Sequence, residues 1–147
     1  MLINIGSYLI SFILVVVVNW IGEFTMLFII PIIYKNKIVY YFLRFFYSFL
    51  LSFISVYLIF ILFQKIDMPI SILMVVFPML LILSYDWSRI QKVKSGKSAL
   101  SIKLKDEGRE NDYNQHKEIW FEYSCFYGHL TGFINSIFIL LLGKSFF

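Results

Sequence analysis

Near the end of the chain Glu118, Glu122, Cys125, His129, Gly132 and Ser136 recur at steps of four, three, four, three and four. On a helix of 3.6 residues per turn that spacing forms one stripe. A carboxylate, a thiol and an imidazole so aligned can move protons, ligate a metal or form a nucleophile and its base. A metal needs ligands that converge, whereas these are strung along one helix, and Cys125 with His129 would supply only two. A thiol nucleophile needs an orienting group and an oxyanion donor, and neither is legible. Cys125 therefore reads as a small packing residue, and no catalytic residue, metal or other cofactor is expected. Proton or ion movement fits better, with Glu122, His129 and neighbouring serines lining a wet seam.

Two further stripes accompany this one. Arg44, Ser48, Ser52 and Ser55 share a helical face, and Asn19 and Glu23 lie one turn apart on another. These faces are expected to converge, with Arg44 paired to Glu23 or Glu122, because an unpaired guanidinium in an apolar surrounding is far more costly than a hydrogen-bonded pair. Such a pair serves a structural role, fixing helix register, as readily as a functional one. Ser124, Gly128, Gly132 and Ser136 place a small residue at every fourth position, the spacing that lets two helix backbones approach closely in lipid. This helix should be central to a bundle or to an oligomer seam.

The elements that must position these residues are long and apolar. Of 147 residues 60% are hydrophobic and only 15% charged, too little charge for the surface of a soluble domain. A helix needs roughly 20 apolar residues to cross a bilayer, which predicts spans at 8–33, 38–63, 70–85 and 120–142. The expected fold is an all-α integral membrane protein, one four-transmembrane-helix bundle over 1–147 with a short cytoplasmic loop at 86–118. The first span is ambiguous: Asn19, Trp20, Gly22 and Glu23 interrupt it, so a tilted or kinked helix ending near Pro31, or a re-entrant bend, is expected. The first basic residue is Lys35, with no small-residue cleavage site, so that span is expected to stay in the mature protein. One cysteine allows no intrachain disulfide.

Basic residues set the orientation. Lys35, Lys37, Arg89, Lys92, Lys94, Lys97, Lys103, Lys105, Arg109 and Lys117 fall on one side, against Lys65 and Lys144 on the other. By the positive-inside rule the 34–37 turn and the 86–118 loop are cytoplasmic, and both termini and the 64–69 turn are outside. Tyr34, Tyr40, Tyr41, Tyr85, Trp87, Trp120 and Tyr123 gather at the same inner boundary, where amphipathic rings prefer to sit. A bacterial inner membrane is the expected location, and the net charge of +4 is not read as a nucleic-acid footprint.

The loop is dipolar, basic from Arg89 to Lys105 and mostly acidic from Asp106 to Glu118. Its basic half should attract anionic headgroups. Leu100, Ile102 and Leu104 alternate with Ser101, Lys103 and Lys105, which predicts a β-strand or hairpin and, with Lys97, a docking edge for a cytosolic partner. Gly96, Lys97 and Ser98 end like a phosphate-binding loop, but Gln91 stands where its first glycine belongs. The stretch from Gly96 to Gly108 resembles the loop of the RDD family of small membrane proteins, in which Gly-Lys is followed by alternating apolar residues and a later Gly. That family's paired Arg and Asp within one helix is not reproduced, since Arg44 has no Asp in its own span, and the likeness covers about a tenth of the chain.

The function expected from these features is a non-enzymatic membrane anchor, scaffold or sensor that forms homo-oligomers and docks a cytosolic protein through 86–118. A small oligomeric channel or proton-conducting protein is the alternative. An immunity or phage-defence component is a third reading, suggested by size, layout and an Ile, Lys, Asn and Phe bias.

Overall fold

The structure, a computed structural model, describes residues 2–33, 37–62 and 68–143. The turns at 34–37 and 64–69 therefore fall largely outside the described residues, as do Tyr34, Lys35, Lys65, Lys144 and both chain ends. The described chain forms α1 (Leu2–Ile33), α2 (Lys37–Leu62), α3 (Met68–Lys94), α4 (Ala99–Asp106), a 3-10 turn (Glu110–Asp112) and α5 (Gln115–Gly143). Among the described residues three helices, within α1, α2 and α3, are long and apolar enough by length and composition to cross a membrane. The fourth long helix, α5, has 29 residues.

The four long helices close into a ring in the order α1, α2, α5, α3, with the most extensive packing between α2 and α5. Val15, Val56, Ile59, Val75 and Phe133 form an apolar core from all four helices. Much of the remaining interior is polar: Ser7, Ser11, Asn19, Arg44, Ser48, Ser52, Ser55, Asp86, Glu122, His129 and Ser136 are buried beside apolar residues such as Met74 and Ile90, while Leu9, Trp20, Phe42, Phe77 and Phe138 point outward. This inversion is the arrangement expected where the surrounding solvent is hydrocarbon. Two of the buried hydroxyls bond along their own helices, Ser11 donating to Ser7 O at 2.8 Å and Ser136 to Gly132 O at 2.5 Å.

The α2–α5 seam depends on two glycines. A Cβ at Gly128 would lie 2.4 Å from the Phe45 carbonyl oxygen, and one at Gly132 would lie 2.5 Å from that of Phe49. The small-residue stripe thus lets α5 settle on the α2 backbone within the chain, with buried Ser136 continuing it. Ser124 lies outside this seam and donates to Trp120 O at 2.8 Å. Gly128→Ala is expected to force the two helices apart and cost about 1–3 kcal/mol, read as a lowered thermal midpoint in detergent; an unchanged midpoint would mean that the seam adapts freely.

Three sequence expectations change. The first is the break in span one: α1 runs without interruption through Asn19 to Glu23, because Asn19 donates to Val15 O at 2.8 Å along the helix and Gly22 lets α1 approach Leu51 of α2. Next, α3 does not end near residue 85 but continues to Lys94, so the first part of the 86–118 loop is helical, and the buried Pro78 inside α3 does not stop it. Last, the strand or hairpin is absent, and 99–106 is helix α4. Ser98 caps it by accepting from Ser101 N at 3.1 Å, a local bond that an isolated strand without a partner edge cannot match. Leu100 and Leu104 are then one turn apart, so the alternation that suggested a strand also fits a helix of eight residues.

Candidate functional site

The polar interior converges on one cluster built from all four long helices. Arg44 of α2, 1% exposed, donates from Nη2 to Glu23 Oε2 of α1 at 2.5 Å and to Cys125 Sγ of α5 at 2.8 Å. Its guanidinium also lies over the Phe121 ring, 4.9 Å from the centroid. Arg89 of α3 bridges two carboxylates, donating to Glu23 Oε2 at 3.1 Å and to Glu122 Oε1 at 2.6 Å. Two turns along α5 from Glu122, His129 Nδ1 stands 2.6 Å from Asp86 Oδ2 of α3. Ser48 of α2 donates to Cys125 Sγ of α5 at 3.5 Å, and between α1 and α2 Asn19 donates to Ser55 Oγ at 3.1 Å.

The faces carrying Asn19, Glu23, Arg44, Ser48, Glu122 and His129 therefore meet, and of the two pairings open to Arg44 the structure forms the one with Glu23. Glu122 takes Arg89 instead. Sequence reasoning missed Asp86 and Arg89, which it assigned to a cytoplasmic loop. Their signal was a helical one: Ile82, Asp86, Arg89 and Val93 continue at steps of four, three and four. The onset of charge at Asp86 masks this signal, because charge ordinarily marks the end of an apolar span. Cys125, read as a packing residue, is fully buried at the centre of the cluster, with Glu23 Oε1 and Asp86 Oδ1 each 3.7 Å from its sulfur.

Several chemistries can be weighed on this geometry. Glu23, Cys125 and His129 bring donor atoms within 4.8 Å of one another, so α1 supplies a convergence that α5 alone lacks. The Arg44 guanidinium, bonded to both Glu23 and Cys125, fills the place where a cation would sit. For nucleophilic catalysis the thiol and the carboxylate should address opposite nitrogens of the imidazole. Here Cys125 Sγ, at 3.8 Å, and Asp86 Oδ2 both face Nδ1. What remains is a charge network. Three carboxylates, Glu23, Asp86 and Glu122, oppose two guanidiniums, Arg44 and Arg89, so one proton on His129 or on a carboxylate brings the cluster to neutrality. Among the described residues, His129 Nε2 and Glu122 Oε2 are buried without a hydrogen-bond partner.

Two cavities reach the cluster. One, of about 650 Å³, opens between α1 and α3 past Phe12, Trp20 and Phe24 to Asp86, Arg89 and His129. The other, of about 940 Å³, lies at the basic end of the bundle beneath α4 and reaches Arg89 and Glu122. Tyr85 and Arg89 line both. The four residues expected on a docking edge, Lys97, Leu100, Ile102 and Leu104, line the second cavity.

The surrounding connections are tied down locally. Gln115 at the start of α5 donates to Val93 O at 2.7 Å and Lys94 O at 3.1 Å, satisfying carbonyls at the end of α3. Asn114 caps α5, accepting from Lys117 N at 2.9 Å. Ser98 donates to Glu118 Oε2 at 2.9 Å, joining α4 to α5. Burial, reinforced by the Glu118 carboxylate, holds the nearby Tyr113 phenol above its ordinary pKa. No family model matches the chain, and no curated protein or solved structure matches it.

Proposed function

We propose that this chain is a non-enzymatic, four-span membrane protein that acts as a proton-responsive sensor or anchor, with its α4 end in the cytoplasm. The observation that carries the reading is the cluster itself. Four helices contribute charged or thiol groups to one buried network whose fixed charges balance only with one added proton. Binding or loss of that proton changes the attraction between α3 and α5 through the Asp86–His129 contact, and α4 is attached to the ends of those two helices. The end that bears α4 is the surface offered to a cytosolic partner, through helix rather than strand edge. A homo-oligomer, if formed, uses a surface other than Gly128 and Gly132, which face α2.

The test is a pH titration of tryptophan fluorescence in lipid nanodiscs, with Trp87 adjacent to Asp86 in sequence as reporter. Wild type should show one reversible change in that signal as pH is varied. His129→Gln and Asp86→Asn should each abolish it. A transition that persists in both variants, or none in wild type, overturns the sensor reading.

A second reading is proton conduction, favoured by the two cavities that Tyr85 and Arg89 both line.

A further inference from the structure

We propose that the 940 Å³ cavity beneath α4 binds the headgroup of an anionic phospholipid that carries free hydroxyls, of the glycerol phosphate type. The inference rests on the membrane reading above and adds to it a specific ligand site. Lys92, Lys97, Arg109 and Lys117 line the cavity, where cations outnumber carboxylates. Arg109 is engaged by Asp112 and Glu107, whereas Lys92 and Lys97 have no carboxylate partner among the described residues. Gly96, at φ +68°, turns the chain so that Lys97 and Ser98 lead directly into α4. Ser98, Ala99 and Leu100 line the same cavity, and by helix geometry the N–H groups of 99 and 100 have no intrahelical acceptor. An anion at this place meets lysine ammonium groups and the positive end of α4 together.

An independent observation defines the other end of the ligand. Glu122 lines the cavity, is 5% exposed, and has its Oε2 buried with no donor among the described residues. It calls for a hydrogen-bond donor beyond the phosphate, which a headgroup hydroxyl supplies. Leu100, Ile102, Leu104 and Phe121 give the cavity apolar wall. That wall favours an amphiphile over a small soluble phosphate, since apolar lining gains nothing from a fully hydrated ion. Basic residues near a membrane surface attract anionic lipid without any site, so the test must separate pocket from surface. Lys103 and Lys105 provide the contrast, because they lie on α4 but do not line the cavity.

The full chain, purified in mild detergent, would be incubated with phosphatidylglycerol or phosphatidylcholine and retained lipid measured by native mass spectrometry. Wild type should keep phosphatidylglycerol and shed phosphatidylcholine. Lys92→Gln with Lys97→Gln should lower retention on the order of tenfold, while Lys103→Gln with Lys105→Gln should leave it unchanged. Excess glycerol 3-phosphate should fail to displace the lipid. Equal retention of both lipids, an equal loss in both double variants, full retention in the Lys92 and Lys97 variant, or displacement by glycerol 3-phosphate would each overturn the site. Failure of the membrane reading looks different: the chain would then not enter bilayers at all, whereas failure of this site leaves it inserted without headgroup preference.

Discussion

Replacing Arg44 with alanine is expected to remove about 3–5 kcal/mol of stability, the scale on which breaking one side of a buried ion pair is measured. The side chain is 1% exposed and joins Glu23 of α1 to Cys125 of α5, so its removal leaves Glu23 one guanidinium short, with Arg89 still bonded, and opens a cavity against Phe121. Two of its own nitrogens, Nε and Nη1, already lack partners, which means that the guanidinium is held at a cost. For that reason the double change Glu23→Leu with Arg44→Met should recover at least half of the loss, since apolar groups of similar volume often replace a buried pair without penalty. Unfolding in mixed micelles of increasing denaturing detergent would measure both. A loss under about 1 kcal/mol for Arg44→Ala would show that the pair contributes little, and a double variant no better than the single one would point to a requirement for charge itself.

Arg89→Ala should have the largest functional effect. Arg89 lines both cavities and carries the positive charge between them, held by Glu23 at 3.1 Å and Glu122 at 2.6 Å. A guanidinium about 4 Å from a crossing cation opposes it by about 4 kcal/mol at an effective dielectric of 20. Without it, that electrostatic barrier is gone and the uncompensated carboxylates of Glu23 and Glu122 favour cations. Proton flux into vesicles that hold the variant should rise at least about tenfold over wild type, followed with a trapped pH dye. If wild-type vesicles already conduct and Arg89→Ala abolishes the flux, the arginine is part of the path rather than a barrier. Variant vesicles as tight as protein-free ones would dismiss conduction and leave the sensor reading.

The charge onset at Asp86 shows how local composition misleads at a helix end. Charged residues usually mark the exit from an apolar span, and read locally Asp86 and Arg89 belong to a loop. Their partners, His129 and Glu122, lie 43 and 33 residues away, so the reason the helix continues is visible only across the bundle. The strand expected around Leu100 failed for a related reason. Alternation over six residues is compatible with either period, and the decision fell to Ser98 as a cap and to the cavity beneath α4.

By itself the sequence determined the long apolar helices, the stripe on α5 and the facing of Asn19 and Glu23 toward Arg44 and its serines, because helical periodicity and the cost of a lone buried charge are local rules. Tertiary structure decided the rest: which carboxylate Arg44 takes, that Arg89 bridges the other two, that Gly128 and Gly132 fit α2 within the chain, and that Cys125 sits among charges. Each of these depends on the ring order of four helices, which sets which faces meet, and no residue spacing within one helix encodes that order.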